Sequence, residues 1–489
     1  MQTCKMLCAT LLFFAISANA NPKFEQYFID KTMRVDYFHI GDAASEFVTL
    51  DHVYQYGVWA GSRTQLIDHF DNGQYYLKIY DAGGGELIYS KGFNTYFYEY
   101  ATSEDAANGI KRSYHESALL PYPKAPIRMS IEKRDKYNKM SEIYSVTIDP
   151  AAVSVIREEP KDPDILVIQS QNGGVPHQKV DIAFIGEGYT KDETAKFKKD
   201  LQRFTDYFFS KEPYKSNRAN FNIYGVLKPS LDSGVDEPRH NSFKNTALNA
   251  TFNSLGSERY LLTEDNKTLR DIAAHVPYDA LYIMVNHYRY GGGGIYNWYC
   301  SFTADNQWSN YLFVHEFGHS LLGLADEYYT SSVAYNEFYP EGVEPAEPNV
   351  TKETDPAKIK WRDKLTPGIE MPTPWEKADF DSMDLAWQQQ RRELNNRVAE
   401  LKRNNAAAAE VKSAEELYNR LDREHSEKMH RYLQNSKFAG KVGAFEGAGY
   451  ASKGMYRPEI DCIMFTKSAE TFCVVCEAAI QEIIDYYSK

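Results

Sequence analysis

The sequence predicts a multi-domain α+β chain: an N-terminal β-sandwich, then an α/β domain carrying an inserted helical hairpin. Three observations carry this. Apolar residues alternate at period two through the first 150 residues, whereas strands and amphipathic helical stretches alternate farther on. Residues 383–433 are charged, poor in aromatics and rich in good helix formers. At 489 residues the chain can build two or three domains, each with its own core.

Residues 1–20 hold a lone Lys5, an apolar run from Leu7 to Ala18 and the end Ala18-Asn19-Ala20, and read as a cleaved secretory signal. The run is too short for a bilayer span and no other stretch is long enough. Met6-Leu7 before Cys8 makes a poor lipobox, so the expectation is a soluble exported protein: secreted, periplasmic or at the cell surface. With 55 Lys and Arg against 68 Asp and Glu, the net charge of −13 disfavours nucleic acid and anionic membranes as partners. Nothing in the composition sets an oligomeric state.

The sandwich is expected over residues 21–160. Arg34–Ile40, Tyr75–Tyr80, Tyr96–Tyr100 and Ile143–Ile148 read as strands, separated by turns such as Asp71-Asn72-Gly73 and Gly83-Gly84-Gly85. Their aromatics are read as core and cross-strand pairs, with a glycan- or protein-facing surface as the alternative. A charged, proline-containing linker, Glu158–Asp164, precedes a domain over residues 161–489.

That domain opens with a β-α-β unit: strand Val180–Ile185, a helix to about Phe209, and strand Phe221–Val226. Residues 229–275 read as a long loop with a helix starting near Thr263, in which His240 is a structural histidine rather than a ligand. A strand over Tyr282–Asn286 leads to Tyr290-Gly291-Gly292-Gly293-Gly294, where glycines strip the backbone of side chains. Tyr290, Gly291, Gly292 and Gly293 are therefore candidates for an edge against which an extended ligand pairs, a flexible solvent loop being the alternative.

The next helix is expected from Asp305 or Asn306, with Trp308, Leu312, His315 and His319 facing inwards. His315 and His319 are four residues apart and share a face, so two imidazoles can reach one metal ion while Glu316 lies beside it. Gly323 can end the helix in a left-handed conformation and bring back Asp326 as third ligand, with Glu327 as its rival. Three protein ligands leave a position for water, from which Glu316 could take a proton.

Residues 330–380, rich in proline and charge, read as a surface excursion that includes the sequon Asn349-Val350-Thr351. Residues 383–433 read as an inserted antiparallel helical hairpin broken near Asn404-Asn405. Beyond it, Tyr456 or Arg457 could stabilise an oxyanion, and Met464 could lie as a floor under the metal ahead of a final helix, Phe472–Tyr487. Without the signal, Cys300, Cys462, Cys473 and Cys476 remain; they are read as free or bridged, since Cys473-x-x-Cys476 alone is a weak metal or redox motif.

Metzincin peptidases carry H-E-x-x-H-x-x-G-x-x-H; here the glycine and the third candidate ligand each lie one residue later. Together with Leu324-Ala325-Asp326-Glu327-Tyr328, Tyr456-Arg457-Pro458, Cys462-Ile463-Met464 and Phe472–Cys476, the motif resembles the IgA-peptidase-type zinc metallopeptidases, metallopeptidase family sixty-four. The resemblance spans about residues 165–489 apart from the hairpin. It implies a metzincin-like peptidase domain with one Zn2+ per chain, His315, His319 and Asp326 as ligands, Glu316 as catalytic base, and Met464 in a methionine turn. The expected activity is hydrolysis of a protein or glycoprotein such as IgA or mucin. The contrasting reading is a non-enzymatic glycan- or protein-binding surface protein with a structural metal.

Overall fold

The computed structural model describes residues 22–330, 339 and 342–489, so the expected signal segment lies outside the described residues. The N-terminal part is built from antiparallel strands β1 (Phe28–Gly41), β2 (Glu46–Tyr56), β3 (Tyr75–Asp81), β4 (Leu87–Phe93), β5 (Arg112–Pro123), β6 (Ile127–Arg134) and β7 (Met140–Ile148). They form two sheets, ordered β2-β1-β5 and β4-β3-β6-β7. Val35 lies opposite both Val53 and Ala118. Met33, Val35 and Tyr37 of the first sheet and Leu77, Ile79 and Met129 of the second enter one hydrophobic cluster.

One expected strand is a helix. Tyr96–Ala101 (α1) starts at Thr95, whose hydroxyl accepts from the Tyr98 amide. Tyr96, Phe97 and Tyr100 then bury on one helical face, and the aromatic run that suggested alternation satisfies a period of 3.6 instead.

The N-terminal core contains a pH-sensitive contact. His39, with a side chain 1% exposed, stands between Glu46 at 2.7 Å and Glu116 at 3.1 Å. Burial pulls the imidazole pKa down, but the two carboxylates outweigh it and leave the group at about 8. A raised folded-state pKa means that this stabilisation is complete below the ordinary imidazole value of 6.5 and is lost as pH rises through about 8. Wild-type protein is expected to lose about 2 kcal/mol more unfolding free energy between pH 6 and 9 than His39→Gln. Equal losses in denaturant titrations of the two proteins would refute the assignment.

The second part is organised on a six-stranded sheet of β8 (Leu166–Gln171), β9 (Val180–Glu187), β10 (Phe221–Leu227), β11 (Ala280–Val285), β12 (Gly292–Ile295) and β13 (Tyr299–Thr303). Its order is β12-β13-β11-β9-β10-β8. The four inner strands are parallel, and β12 and β8 are antiparallel edges. Parallel strands are covered on both faces, which is why β9 and β11 are buried at every position. Helix α2 (Thr194–Phe208) makes the crossover from β9 to β10. Ile182 and Phe184 pack with Phe204 of this helix, whereas Ala183 and Ile185 face the cluster of the N-terminal sheets. The two parts therefore share a core across one face of the sheet.

Helix α3 (Asn266–Ala273) begins three residues after Thr263 because Asp265 caps it, accepting from the Thr268 amide. Helix α4 (Ser309–Ser320) begins later than Asp305 or Asn306, since the Asn306 side chain turns back to accept from the Trp308 amide. The hairpin is present as α5 (Lys377–Arg403) and α6 (Ala408–Gln434), starting before residue 383, with Asn405 left-handed at the turn. It is not a free arm: the Trp308 indole donates to Asp422 at 2.6 Å, and Lys467 pairs with the same carboxylate. Nor are residues 343–376 purely a surface excursion, because Trp361 and Val350 are buried. Asn349 of the sequon is fully buried, donating to the Ala325 carbonyl and Glu327, and cannot present itself for glycosylation. The chain ends with β14 (Phe445–Ala448), β15 (Ala451–Arg457) and α7 (Val474–Ser488). Among the described residues no helix is long and apolar enough to cross a membrane.

Candidate metal centre

Helix α4 is buried on most sides, as a helix between a sheet and further helices must be, and it sets His315, Glu316 and His319 among buried Leu312, Phe313, Val314 and Phe317. Gly323 adopts φ +58° just past its end. The Gly323 amide donates to the His319 carbonyl at 3.1 Å and the Leu324 amide to the Gly318 carbonyl at 3.0 Å, a paired closure that turns the chain back. The Asn72 side-chain amide, in the first predicted turn, donates to the Gly323 carbonyl at 3.0 Å and ties this closure to the N-terminal sheets.

The returning chain brings Asp326 to the histidines. His315 Nε2 and His319 Nε2 are 3.2 Å apart, and Asp326 Oδ1 lies 3.1 Å from each. Zinc–nitrogen and zinc–oxygen bonds of about 2.0–2.2 Å at tetrahedral angles put donors roughly 3.3 Å apart, so the triangle fits one ion capping its face. The far ring nitrogens support the fit. His315 Nδ1 faces the Ile463 carbonyl at 3.0 Å and His319 Nδ1 faces the Leu324 carbonyl at 2.7 Å. Protons held there leave both Nε2 lone pairs directed at the shared point. Burial alone would lower the His319 pKa, but Asp326 and its neighbours leave it at about 9. Burial would raise Asp326, yet the two imidazoles hold it far below the usual carboxylate range.

Glu316 is half-buried on the same face, and burial pushes its carboxyl up despite the neighbouring imidazoles. Strand β12 passes beside it. A Cβ at Gly294 would sit 2.5 Å from the Glu316 carbonyl and 2.9 Å from His319 Cβ, and one at Gly292 only 3.2 Å from Glu316 Oε1. The glycines are thus required by the approach of α4 to an edge strand, rather than by a flexible loop. The 259–261 segment covers part of that edge, with Leu261 donating to the Gly292 carbonyl at 3.3 Å. Met464 lies under the helix, its Sδ 2.8 Å from where a Cβ on Gly318 would stand.

These groups open into a cleft of about 790 Å³, lined by Tyr290, Gly292, Gly293, Arg259 and Tyr450, with Arg391 of the hairpin on one wall. Two expected residues are not brought there. Arg457 is fully buried, its guanidinium 3.8 Å from the Phe465 ring centre, and it donates to the Gly447 and Ile460 carbonyls. Tyr456 pairs through its backbone with Thr351 and does not line the cleft either. Both sit on β15, whose pairing with β14 directs them elsewhere. Glu327, the rival ligand, turns away from Asp326 towards Asn349 and Cys476.

In their place the structure presents Tyr450, whose hydroxyl donates to Asp326 Oδ2. Tyr450 has φ +63°, held by Gly449 donating to the Asp326 carbonyl at 2.9 Å and Tyr450 donating to that of Tyr328 at 3.1 Å. A left-handed aromatic residue is uncommon and marks a position that its surroundings over-determine. Gly447 and Gly449 were a turn signal for it. Arg259, which donates to the Tyr328 hydroxyl at 3.1 Å, had no local signal at all.

Comparison with known proteins adds an independent line. No individual curated protein matches the chain. The family model described as IgA Peptidase M64 matches residues 168–484, and that described as Peptidase M64 N-terminus matches residues 23–145. Since the first alone spans more than half of the sequence and contains the whole α4 cluster, the protein belongs to the M64 IgA peptidase family and is a metallopeptidase acting on protein substrates.

Proposed function

We propose that the chain is an exported zinc-dependent endopeptidase with one catalytic Zn2+ held by His315, His319 and Asp326. The carrying observation is the triangle of Nε2, Nε2 and Oδ1 atoms with both Nδ1 positions engaged by backbone carbonyls. Zinc at such a site supplies Lewis acidity and lowers the pKa of water near it. Glu316 accepts the proton of the attacking water on its carboxylate and delivers it to the departing amine. The raised affinity for protons that burial gives Glu316 suits both halves of that transfer. On this reading Met464 forms a methionine turn beneath a metzincin-like centre. The partly exposed position of β12, Gly294, pairs with an extended substrate running between it and the hairpin.

The oxyanion role expected of Tyr456 or Arg457 is reassigned to Tyr450, the hydroxyl nearest the ligand set. Tyr450→Phe is expected to lower kcat by about 10²–10³-fold with zinc content unchanged and KM little altered. A kcat within threefold of wild type would remove Tyr450 from the chemistry.

Residues 21–160 are read as an accessory β-sandwich and residues 161–489 as the catalytic domain. Substrates are proteins or glycoproteins, IgA and mucin being the specialised candidates. A structural metal in a non-enzymatic binder would have no use for Glu316 beside it, and family membership weighs against that reading too. The test is incubation of purified protein with IgA, mucin and casein, followed by mass-spectrometric mapping of the cleavage points. Cleavage confined to IgA or mucin supports a specialised peptidase, cleavage of casein alone removes both specialised substrates, and no cleavage by zinc-loaded protein sinks the proposal.

A further inference from the structure

Below the cleft a second group of ligand-type side chains meets in the core. Asp326 and Glu327 are adjacent, and their side chains diverge: the segment that carries Asp326 to the histidines carries Glu327 to the cysteines. Cys462 follows β15, and Cys473 and Cys476 cap and begin α7. Glu327, Cys462 and Cys476 are each 0% exposed and Cys473 is 2% exposed. One oxygen of Glu327 and the three sulfurs all lie within 4.8 Å of one another.

The spacing separates the chemistries open to this group. Cys462 Sγ and Cys476 Sγ are 3.9 Å apart, against about 2.05 Å in a disulfide. Glu327 Oε1 is 3.3 Å from Cys476 Sγ and 3.8 Å from Cys473 Sγ. Four donors around one zinc, at about 2.3 Å for sulfur and 2.0–2.2 Å for oxygen, stand roughly 3.5–3.8 Å apart. These edges are therefore those of a coordination tetrahedron.

Two further observations point to a ligand. Glu327 Oε2 is buried with no hydrogen-bond partner among the described residues, a costly state for a carboxylate. In addition, sulfur accepts three backbone amides: Met464 and Cys473 donate to Cys462 Sγ at 3.4 and 3.3 Å, and Cys476 donates to Cys473 Sγ at 3.4 Å. Amides turned onto sulfur stabilise thiolate, the form that binds metal. Arg457, buried nearby and in no ion pair among the described residues, offers the positive charge that an anionic cluster needs.

We propose that Glu327, Cys462, Cys473 and Cys476 hold a second, structural zinc ion. The three thiols give up their protons to solvent as the ion binds, no redox change occurs, and four protein ligands leave no position for water. The ion joins the Asp326-Glu327 segment, the Cys462–Met464 loop and the start of α7. That loop supplies the Ile463 carbonyl facing His315 Nδ1 and the Met464 carbonyl that accepts from the Glu327 amide at 2.8 Å. The second ion thereby positions two residues of the first centre. The site itself stands on its own geometry; only this positioning effect rests on the peptidase reading.

The test is zinc content and zinc X-ray absorption of the full mature chain and of His315→Ala/His319→Ala, purified without chelator. Wild type is expected to carry about two zinc ions per chain and the variant one, with a shell of about three sulfurs near 2.3 Å in the variant. Zinc without any sulfur shell, a zinc-free folded variant, or a disulfide among Cys462, Cys473 and Cys476 in peptide mapping would overturn it. Should the variant fail to fold, the presence or absence of zinc–sulfur scattering in wild type decides. One sulfur-bound zinc in both proteins would instead leave the second site standing and the first one refuted.

Discussion

Glu316→Gln is expected to bind zinc as wild type does and to lose about 10²–10⁴-fold in kcat. The substitution keeps the size and hydrogen-bonding reach of the side chain and removes only its ability to take a proton. None of the three converging donor atoms belongs to Glu316, so the metal should be unaffected. Shape is preserved where it matters, because Gly292 and Gly294 already crowd this side chain and its carbonyl. Zinc content, thermal stability and cleavage of a single peptide substrate are measured together. Activity within a few-fold of wild type would exclude Glu316 as the base, and loss of zinc would make it a ligand.

The second large effect is expected at Asp326. It contributes one oxygen to both histidine contacts, and its charge holds His319 at about 9. Removing a hydrogen-bond partner of a ligand commonly weakens metal binding by about 10–100-fold, so removing the proposed ligand itself in Asp326→Ala should cost more than about 100-fold. Glu327 cannot stand in, since it is turned into the core towards Cys476. The same ion pair sets a pH dependence. Zinc binding must expel the proton that His319 holds below about 9, so affinity at the first centre should rise with pH up to that value and then level off. Asp326→Ala removes the main cause of the shift and should move the plateau to lower pH. Chelator competition from pH 6 to 10 measures both. Unchanged affinity in the variant would place the third ligand elsewhere.

How much was legible in advance differs from element to element for physical reasons. The two histidines, Glu316 and the turn at Gly323 are local: helical periodicity and one positive φ bring them together within a dozen residues. The hairpin was legible because its composition has only one ordered outcome. The run Tyr96–Tyr100 misled because four aromatics in five residues fit either period, and a single capping threonine settled the matter.

By itself, then, the sequence determined the helix that carries His315 and His319, its closing turn, the return of Asp326 towards them, the succession of sheets and the hairpin, all of which follow from periodicity and neighbouring residues. Only the tertiary structure decided which distant residues join them. Tyr450 meets Asp326 across 124 residues of chain, and Cys476 meets Glu327 across 149. Arg457, which looked suited to the cleft, is held in the core by the pairing of β14 and β15. Such contacts arise from the packing of elements whose order in space no local pattern encodes, and so their chemistry becomes visible only once the chain is folded.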